Sequence, residues 1–234
     1  MRTIVCDTYE EATAEAAKIV ASQITLKPGC VLGFPTGSTP VGMYDALSKM
    51  DLDFSGVTTF NLDEYYRLPR DNDQSYWYFM NKNLYSRVNL KPENTNVPNG
   101  MAEDIEAECA AYDAKIEAAG GLDLMVLGIG PNGHIGFNEP DSSLEAGTHV
   151  VTLTDETIEA NSRFFATRDD VPKKAVTMGV GSIMKAKRIL MLITGENKKK
   201  VAKALLESSV TTENPATLLL LHPDVTVVFD KAAL

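Results

Sequence analysis

The chain has 234 residues, of which 44% are hydrophobic and 23% charged, and its formal net charge is -10 at pH 7. That length suffices for one large core, so residues 1–234 read as a single domain. The acidic balance argues against a nucleic-acid surface, although a local basic pocket built from Arg163, Lys198, Lys199 and Lys200 can still hold a small anion.

In chain order, residues 3–6 form a short apolar run that reads as a strand, and residues 9–24 are Ala-rich, with acids early and Lys18 later, as a helix dipole prefers. A second strand at 31–34 runs into Pro35, Thr36, Gly37, Ser38 and Thr39, and Pro40 suits the first position of the helix that follows. A third at 57–61 runs into Asn61, Leu62, Asp63, Glu64 and Tyr65. Residues 90–100, with Pro92, Pro98 and three asparagines, read as a loop, and 101–119 as a helix. The run 122–127 is a buried strand that opens into Gly-Ile-Gly-Pro-Asn-Gly-His-Ile-Gly-Phe-Asn-Glu-Pro (128–140). Residues 152–170 are polar, carry a helical stretch at 155–165 and interrupt the strand rhythm, which makes them a candidate lid. Strands at 175–178, 189–193 and 225–229, and a helix at 198–208, complete the chain. About seven strands alternating with helices predict an α/β fold: a mostly parallel sheet with helices on both faces.

The three cysteines, Cys6, Cys30 and Cys109, stand at no metal-ligand spacing and read as free thiols of a reducing compartment. No apolar run approaches a membrane span, and the start of the chain reads as a strand rather than a signal peptide, so a cytoplasmic protein is expected. His149 and His222 lie in unremarkable company, and three scattered histidines do not suggest a metal.

Four strands end in unusual polar sequences, and in a parallel α/β sheet all carboxyl ends face the edge where ligands bind. Gly37, Ser38 and Thr39 before a helix suit an anion, because free amides and the helix dipole favour negative charge; a plain strand-to-helix turn is the equal alternative. Asp63 beside tyrosines is a candidate base for a proton on carbon, against the alternative that Asp63 and Glu64 are solvated turn acids. His134 sits between glycines in a loop poor in bulky residues, with Asn132 and Glu139 placed to orient it. Arg163, taken alone, reads as an exposed arginine on a polar helix, and Lys198 opens a helix whose dipole it opposes unless it meets an anion.

With Pro-Thr-Gly-Ser-Thr-Pro (35–40), Phe-Asn-Leu-Asp-Glu-Tyr (60–65), the 128–140 loop, Ala-Asn-Ser-Arg-Phe-Phe (160–165) and Thr-Met-Gly-Val-Gly (177–181), the chain resembles the glucosamine-6-phosphate deaminase family over its whole length. The resemblance implies a modified Rossmann-like three-layer fold and conversion of glucosamine 6-phosphate and water to fructose 6-phosphate and ammonia, within amino-sugar catabolism, without a cofactor. It implies that Asp63 moves the proton between C2 and C1, that His134 with Asn132 and Glu139 opens the pyranose ring, and that Gly37, Ser38, Thr39, Arg163 and Lys198 hold the phosphate. Two other readings remain: a 6-phosphogluconolactonase-like hydrolase, against which Asp63 speaks, and a sugar-phosphate sensor, for which neither terminus has a DNA-binding segment.

The chain departs from the longer members of that family, which are hexamers activated by N-acetylglucosamine 6-phosphate through basic residues just after the loop and a C-terminal tyrosine. Here residues 147–151 read Gly-Thr-His-Val-Val and the chain stops soon after its last strand, so a non-allosteric monomer is expected. Position 132 is Asn where some members have Asp, which shifts support of an imidazolium toward Glu139.

Overall fold

The computed structural model describes residues 1–207 and 209–234, and at Ala160 the backbone alone. The elements are β1 (Arg2–Cys6), α1 (Tyr9–Leu26), β2 (Val31–Phe34), α2 (Val41–Ser48), β3 (Thr58–Asn61), β4 (Asp63–Tyr65), α3 (Tyr76–Asn83) and β5 (Thr95–Asn96). They continue with α4 (Ile105–Ala118), β6 (Leu124–Leu127), β7 (His149–Thr152), α5 (Asp155–Ser162), β8 (Lys174–Thr177), α6 (Val180–Met184), β9 (Ile189–Ile193), α7 (Lys199–Leu206) and β10 (Val225–Asp230). Ser208, the end of the expected helix 198–208, lies outside the described residues.

The main sheet has seven strands in the order β1-β10-β9-β6-β2-β3-β5, parallel throughout. Its two faces bury different residues because side chains alternate along a strand. On β6, Leu124 and Val126 join a core with Ala16 and Val20 of α1 and Leu47 of α2. Met125 and Leu127 point the other way, into a core with Ile116 of α4 and Leu205 of α7. Helices on both faces give the expected three-layer α/β architecture. α1 forms where it does because the Thr8 hydroxyl accepts the Glu11 amide at 3.2 Å, Glu10 and Glu11 sit in the first turn, and small Ala12, Ala16 and Ala17 let it lie close to the sheet. No helix among the described residues is long and apolar enough to cross a membrane.

Three details differ from the sequence expectation. The run expected as a strand at 175–178 is β8, which leaves the main sheet and pairs antiparallel with β4 and β7 in a second, three-stranded sheet. The seventh parallel strand is instead β5, two residues within the segment expected to be a loop; it is too short to show a period, and the Asn96 side chain holds it by donating to the Thr59 carbonyl at 2.9 Å. Pro40 is the N-cap of α2 rather than its first helical residue, and no local hydroxyl caps the helix. The Tyr9 hydroxyl does so from α1, accepting the Gly42 amide at 3.0 Å and donating to the Thr39 carbonyl at 3.1 Å.

The amino-terminal edge of the sheet is tied by Asp123, only 5% exposed, which accepts from Lys27 and Lys187 at 2.7 Å each and from the Val31 amide at 2.9 Å. Burial pushes its carboxyl up, but these donors hold it below the usual carboxylate range. A lowered carboxylate contributes stability above its unfolded value and loses it as pH falls through the folded one. Asp123→Ala is therefore expected to cost about 2–3 kcal/mol at pH 7 in urea unfolding, since it strands a buried amide, and the cost should shrink below about pH 4. A cost independent of pH would contradict this account.

Candidate active site

A cleft of about 630 Å³ opens at the carboxyl ends of β2, β6 and β9, and Gly37, Ser38, Thr39, Asp63, Asn132, His134, Arg163 and Lys198 all line it. Eight of the nine residues singled out in the sequence therefore meet in one place. The ninth, Glu139, stands behind His134 with its side chain 10% exposed. Lys199 and Lys200, grouped with Lys198 from sequence, do not line the cleft and are exposed on α7. His149 and His222 are also elsewhere: His149 contacts the Gly147 carbonyl at 2.9 Å, and buried His222 reaches the Ala186 carbonyl at 2.7 Å, as structural histidines do.

The 128–140 loop is shaped by two glycines. A Cβ on Gly130 would lie 2.2 Å from His134 Nε2, so only glycine lets the imidazole pack against this turn. Gly133 has φ +92°, which L side chains rarely adopt, and a Cβ there would strike the Asn214 side chain at 2.1 Å. The loop is anchored to β8 by Asn138, whose side-chain amide donates to the Ile135 and Met178 carbonyls at 2.8 and 2.9 Å. The Thr177 hydroxyl also accepts the Phe137 amide at 3.0 Å.

Within that frame Glu139 collects donors. Its Oε2 accepts from Asn132 Nδ2 at 2.6 Å and faces His134 Nδ1 at 3.2 Å, while Oε1 accepts from the Thr157 hydroxyl at 2.5 Å. Burial alone would raise this carboxyl, but hydrogen bonds and charge from His134, together with Thr157 and Asn132, bring it down to about 2. An ionised carboxylate has no proton to give, so Nδ1 carries the imidazole proton and Nε2, beside Gly130, is the free nitrogen. Asn132 is thus bonded to Glu139 and, through its Oδ1, to the His134 backbone amide at 3.3 Å; it does not bind the imidazole.

Asp63 stands in the opposite condition. It opens β4 rather than ending β3, with Leu62 as the corner: the Leu62 amide donates to the Phe34 carbonyl at 3.2 Å and its carbonyl accepts the Met178 amide at 2.7 Å. Asp63 is 6% exposed, its Oδ1 has no hydrogen-bond partner among the described residues, and burial followed by the charge of Glu64 pushes its carboxyl up to about 8. Neither acid is a solvated turn residue. Glu64 is 4% exposed and caps α3, accepting the Tyr65, Tyr76 and Trp77 amides at 2.8, 2.9 and 3.0 Å.

The far end of the cleft is positive. The backbone amides of Gly37, Ser38 and Thr39 donate to no acceptor among the described residues, and Gly37 has φ +96°. Arg163 ends α5, its guanidinium 4.6 Å from the Phe164 ring, while Phe165 packs edge-on against Tyr65 at 5.7 Å. Lys198 is the N-cap of α7; burial, then the charge of Arg163, lowers its ammonium to about 8. Two neighbouring cations and three amides without acceptors among the described residues give this end of the cleft a field that favours an anion.

Sequence reasoning missed Tyr9, Tyr76 and Thr157, which also line the cleft. Tyr76 stacks on Phe137 at 6.0 Å and meets Tyr65 at 4.8 Å, joining α3 to the loop. Its position after a Ser75 N-cap was the one available signal; Tyr9 and Thr157 offered none, because each acts across more than fifteen residues of chain.

Comparison with known proteins places this architecture. A family model described as glucosamine-6-phosphate isomerases/6-phosphogluconolactonase matches residues 6–228. A glucosamine-6-phosphate deaminase of Clostridioides difficile is 56% identical over all of this chain and 95% of its own length, and one of Halothermothrix orenii is 54% identical over all of this chain and 98% of its own. The solved structure of a monomeric glucosamine-6-phosphate deaminase, 46% identical, superposes with a TM-score of 0.97 over all of this chain and 98% of that one. A 6-phosphogluconolactonase from Thermotoga maritima, 22% identical with a TM-score of 0.78 over 98% of this chain and 99% of its own, shares the fold. The chain belongs to the glucosamine-6-phosphate isomerase/6-phosphogluconolactonase family.

Proposed function

We propose that this protein is a glucosamine-6-phosphate deaminase, converting glucosamine 6-phosphate and water to fructose 6-phosphate and ammonia. The observation that carries the reading is the pairing, in one cleft, of a buried carboxylate whose Oδ1 has no hydrogen-bond partner among the described residues, Asp63, with a His134–Glu139 couple and a cluster of cations and free amides.

The assignments follow from what each group can do. The closed sugar has no carbonyl to acidify its C2 proton, so the ring must open first. His134 Nε2 takes the proton of the anomeric hydroxyl and returns one to the ring oxygen, and Glu139 stabilises the imidazolium formed between these steps. Asn132 holds Glu139 in place through the 2.6 Å bond. Asp63 then removes the C2 proton of the open aldehyde, giving an enolamine, and delivers it to C1, leaving a ketimine at C2; water adds to that carbon and ammonia leaves, giving the ketose. Gly37, Ser38, Thr39, Arg163 and Lys198 bind the phosphate, which lies remote from the reacting carbons and supplies the binding energy that aligns them. Residues 152–170 serve as a lid over this cleft, and a single chain is the functional unit, working in the cytoplasm.

The decisive experiment incubates pure protein with glucosamine 6-phosphate and assays ammonia and fructose 6-phosphate, with 6-phosphogluconolactone as the competing substrate and light scattering on the same sample. Turnover of the amino sugar by a species of one chain's mass, 25.5 kDa, is expected. Hydrolysis of the lactone alone would overturn the reading, and a hexamer would overturn the monomer. Asp63→Asn should lower kcat by about 10⁴-fold, whereas His134→Gln should lower it by about 10²-fold, because some sugar opens unaided. Equal losses would contradict the division of labour.

The pH profile tests the same roles. Asp63 must be ionised, which requires a pH above its raised value of about 8, and Lys198 must be protonated, which requires a pH below its lowered value of about 8. Thus kcat/KM should be bell-shaped with its maximum near that pH, and Lys198→Arg should remove the alkaline limb while leaving the acid limb in place. A profile indifferent to that substitution would remove Lys198 from the phosphate site.

A further inference from the structure

One residue of α5 joins the two ends of the cleft. Thr157 is 6% exposed, lies in the first turn of α5, and its hydroxyl donates to Glu139 Oε1 at 2.5 Å. The direction of that bond is fixed, because Glu139 is held ionised and only accepts. The Thr154 hydroxyl, which caps α5 by accepting the Thr157 amide at 3.2 Å, donates in turn to the Thr157 hydroxyl at 3.1 Å. The order of donation therefore runs from the helix cap through Thr157 into the carboxylate whose other oxygen orients His134.

The same helix ends at Arg163, which lines the positive end of the cleft. Six residues of helix separate the two side chains, a rise of about 9 Å. This helix of eight residues, seated by buried Ile158 against Val171 and Ala175, is short enough to shift as a unit. Whatever sets Arg163 on an anion also sets Thr157 on Glu139. If α5 shifts away, Oε1 loses its donor inside a site that is 10% exposed, where an unpaired carboxylate oxygen is costly, and the carboxylate turns from His134.

We propose that Thr157 is a positioning residue that couples phosphate binding at Arg163 to the His134–Glu139 pair, so that α5 readies the ring-opening base only when the phosphate is in place. This rests on the deaminase reading above. It explains why a threonine is buried on an otherwise polar helix: a remote, unreactive part of the substrate governs the tautomer and orientation of the imidazole that meets the reacting part.

The test compares wild type, Thr157→Val, Thr157→Ser and Glu139→Gln, together with the Thr157→Val/Glu139→Gln double variant, using glucosamine 6-phosphate. Thr157→Val keeps the shape and removes the donor. It should lower kcat about tenfold with KM within about twofold, as expected for loss of one hydrogen bond to a charged group. Thr157→Ser should restore kcat to within about threefold of wild type, which a purely packing role would not allow, since it deletes a buried methyl. In the Glu139→Gln background Thr157→Val should cause no further loss, because its effect passes through the carboxylate. Losses that add in the double variant, a change confined to KM, or a serine variant no better than valine would overturn the inference, and the serine variant and the double variant decide the matter even if Thr157→Val folds poorly. A wild-type protein that releases no ammonia would instead overturn the deaminase reading, and this inference with it.

Discussion

Thr177 is the residue on which the geometry of the cleft depends. It pairs with Asp63 across the β4–β8 ladder and with His149 on the other side, it is fully buried, and its hydroxyl accepts the Phe137 amide of the 128–140 loop. The carboxylate at 63 and the imidazole loop, about seventy residues apart in the chain, are thereby referred to one point. A slip of one residue in this antiparallel register would turn Asp63 to the opposite face of its strand. Such a slip is opposed by Leu62, which is hydrogen-bonded on one side to β2 and on the other to Met178, and by the closed core on both faces of the main sheet.

The second constraint is electrostatic. Asp63 and Glu139 are both mostly buried carboxylates, and burial raises the proton affinity of each, yet they end near 8 and near 2. The difference lies in their donors. Glu139 is surrounded by Thr157, Asn132 and His134, whereas Asp63 has an Oδ1 without a partner among the described residues and the negative Glu64 beside it. Two acids pushed apart in this way suit two tasks: a permanent anion that steadies a cation, and a strong base that meets carbon. Glu64 contributes without touching the cleft's contents, since the Tyr76 and Trp77 amides it accepts hold α3 against β4 while its charge bears on its neighbour.

Much of this was legible in the sequence because the chemistry is concentrated at strand ends. The rule that parallel strands present their carboxyl ends together places Gly37, Asp63, His134 and Lys198 in one neighbourhood with no knowledge of helix packing, and the alternation of apolar runs gives six of the seven parallel strands. The second sheet was hidden for a physical reason. β4 is Asp-Glu-Tyr, a polar triplet that is buried only because tertiary contacts cover it, and β7 is half-exposed, so neither carries the apolar run that marks a strand. β5 is two residues long and held by a side chain. The hydroxyls of Tyr9 and Thr157 act on partners that are distant in the chain and lie in ordinary helical contexts, so their roles exist only in three dimensions.

A single, buried carboxylate carrying hydrogen between adjacent carbons is the centre of the proposed chemistry, and isotope transfer reads it directly. Glucosamine 6-phosphate deuterated at C2 is turned over in ordinary water, and the fructose 6-phosphate formed is examined at C1. Because Asp63 is 6% exposed, it should hold the deuteron long enough to return part of it, giving a product with deuterium at C1. Complete loss of deuterium to solvent, with only protium at C1 even in the first turnovers, would contradict a shielded single base at Asp63.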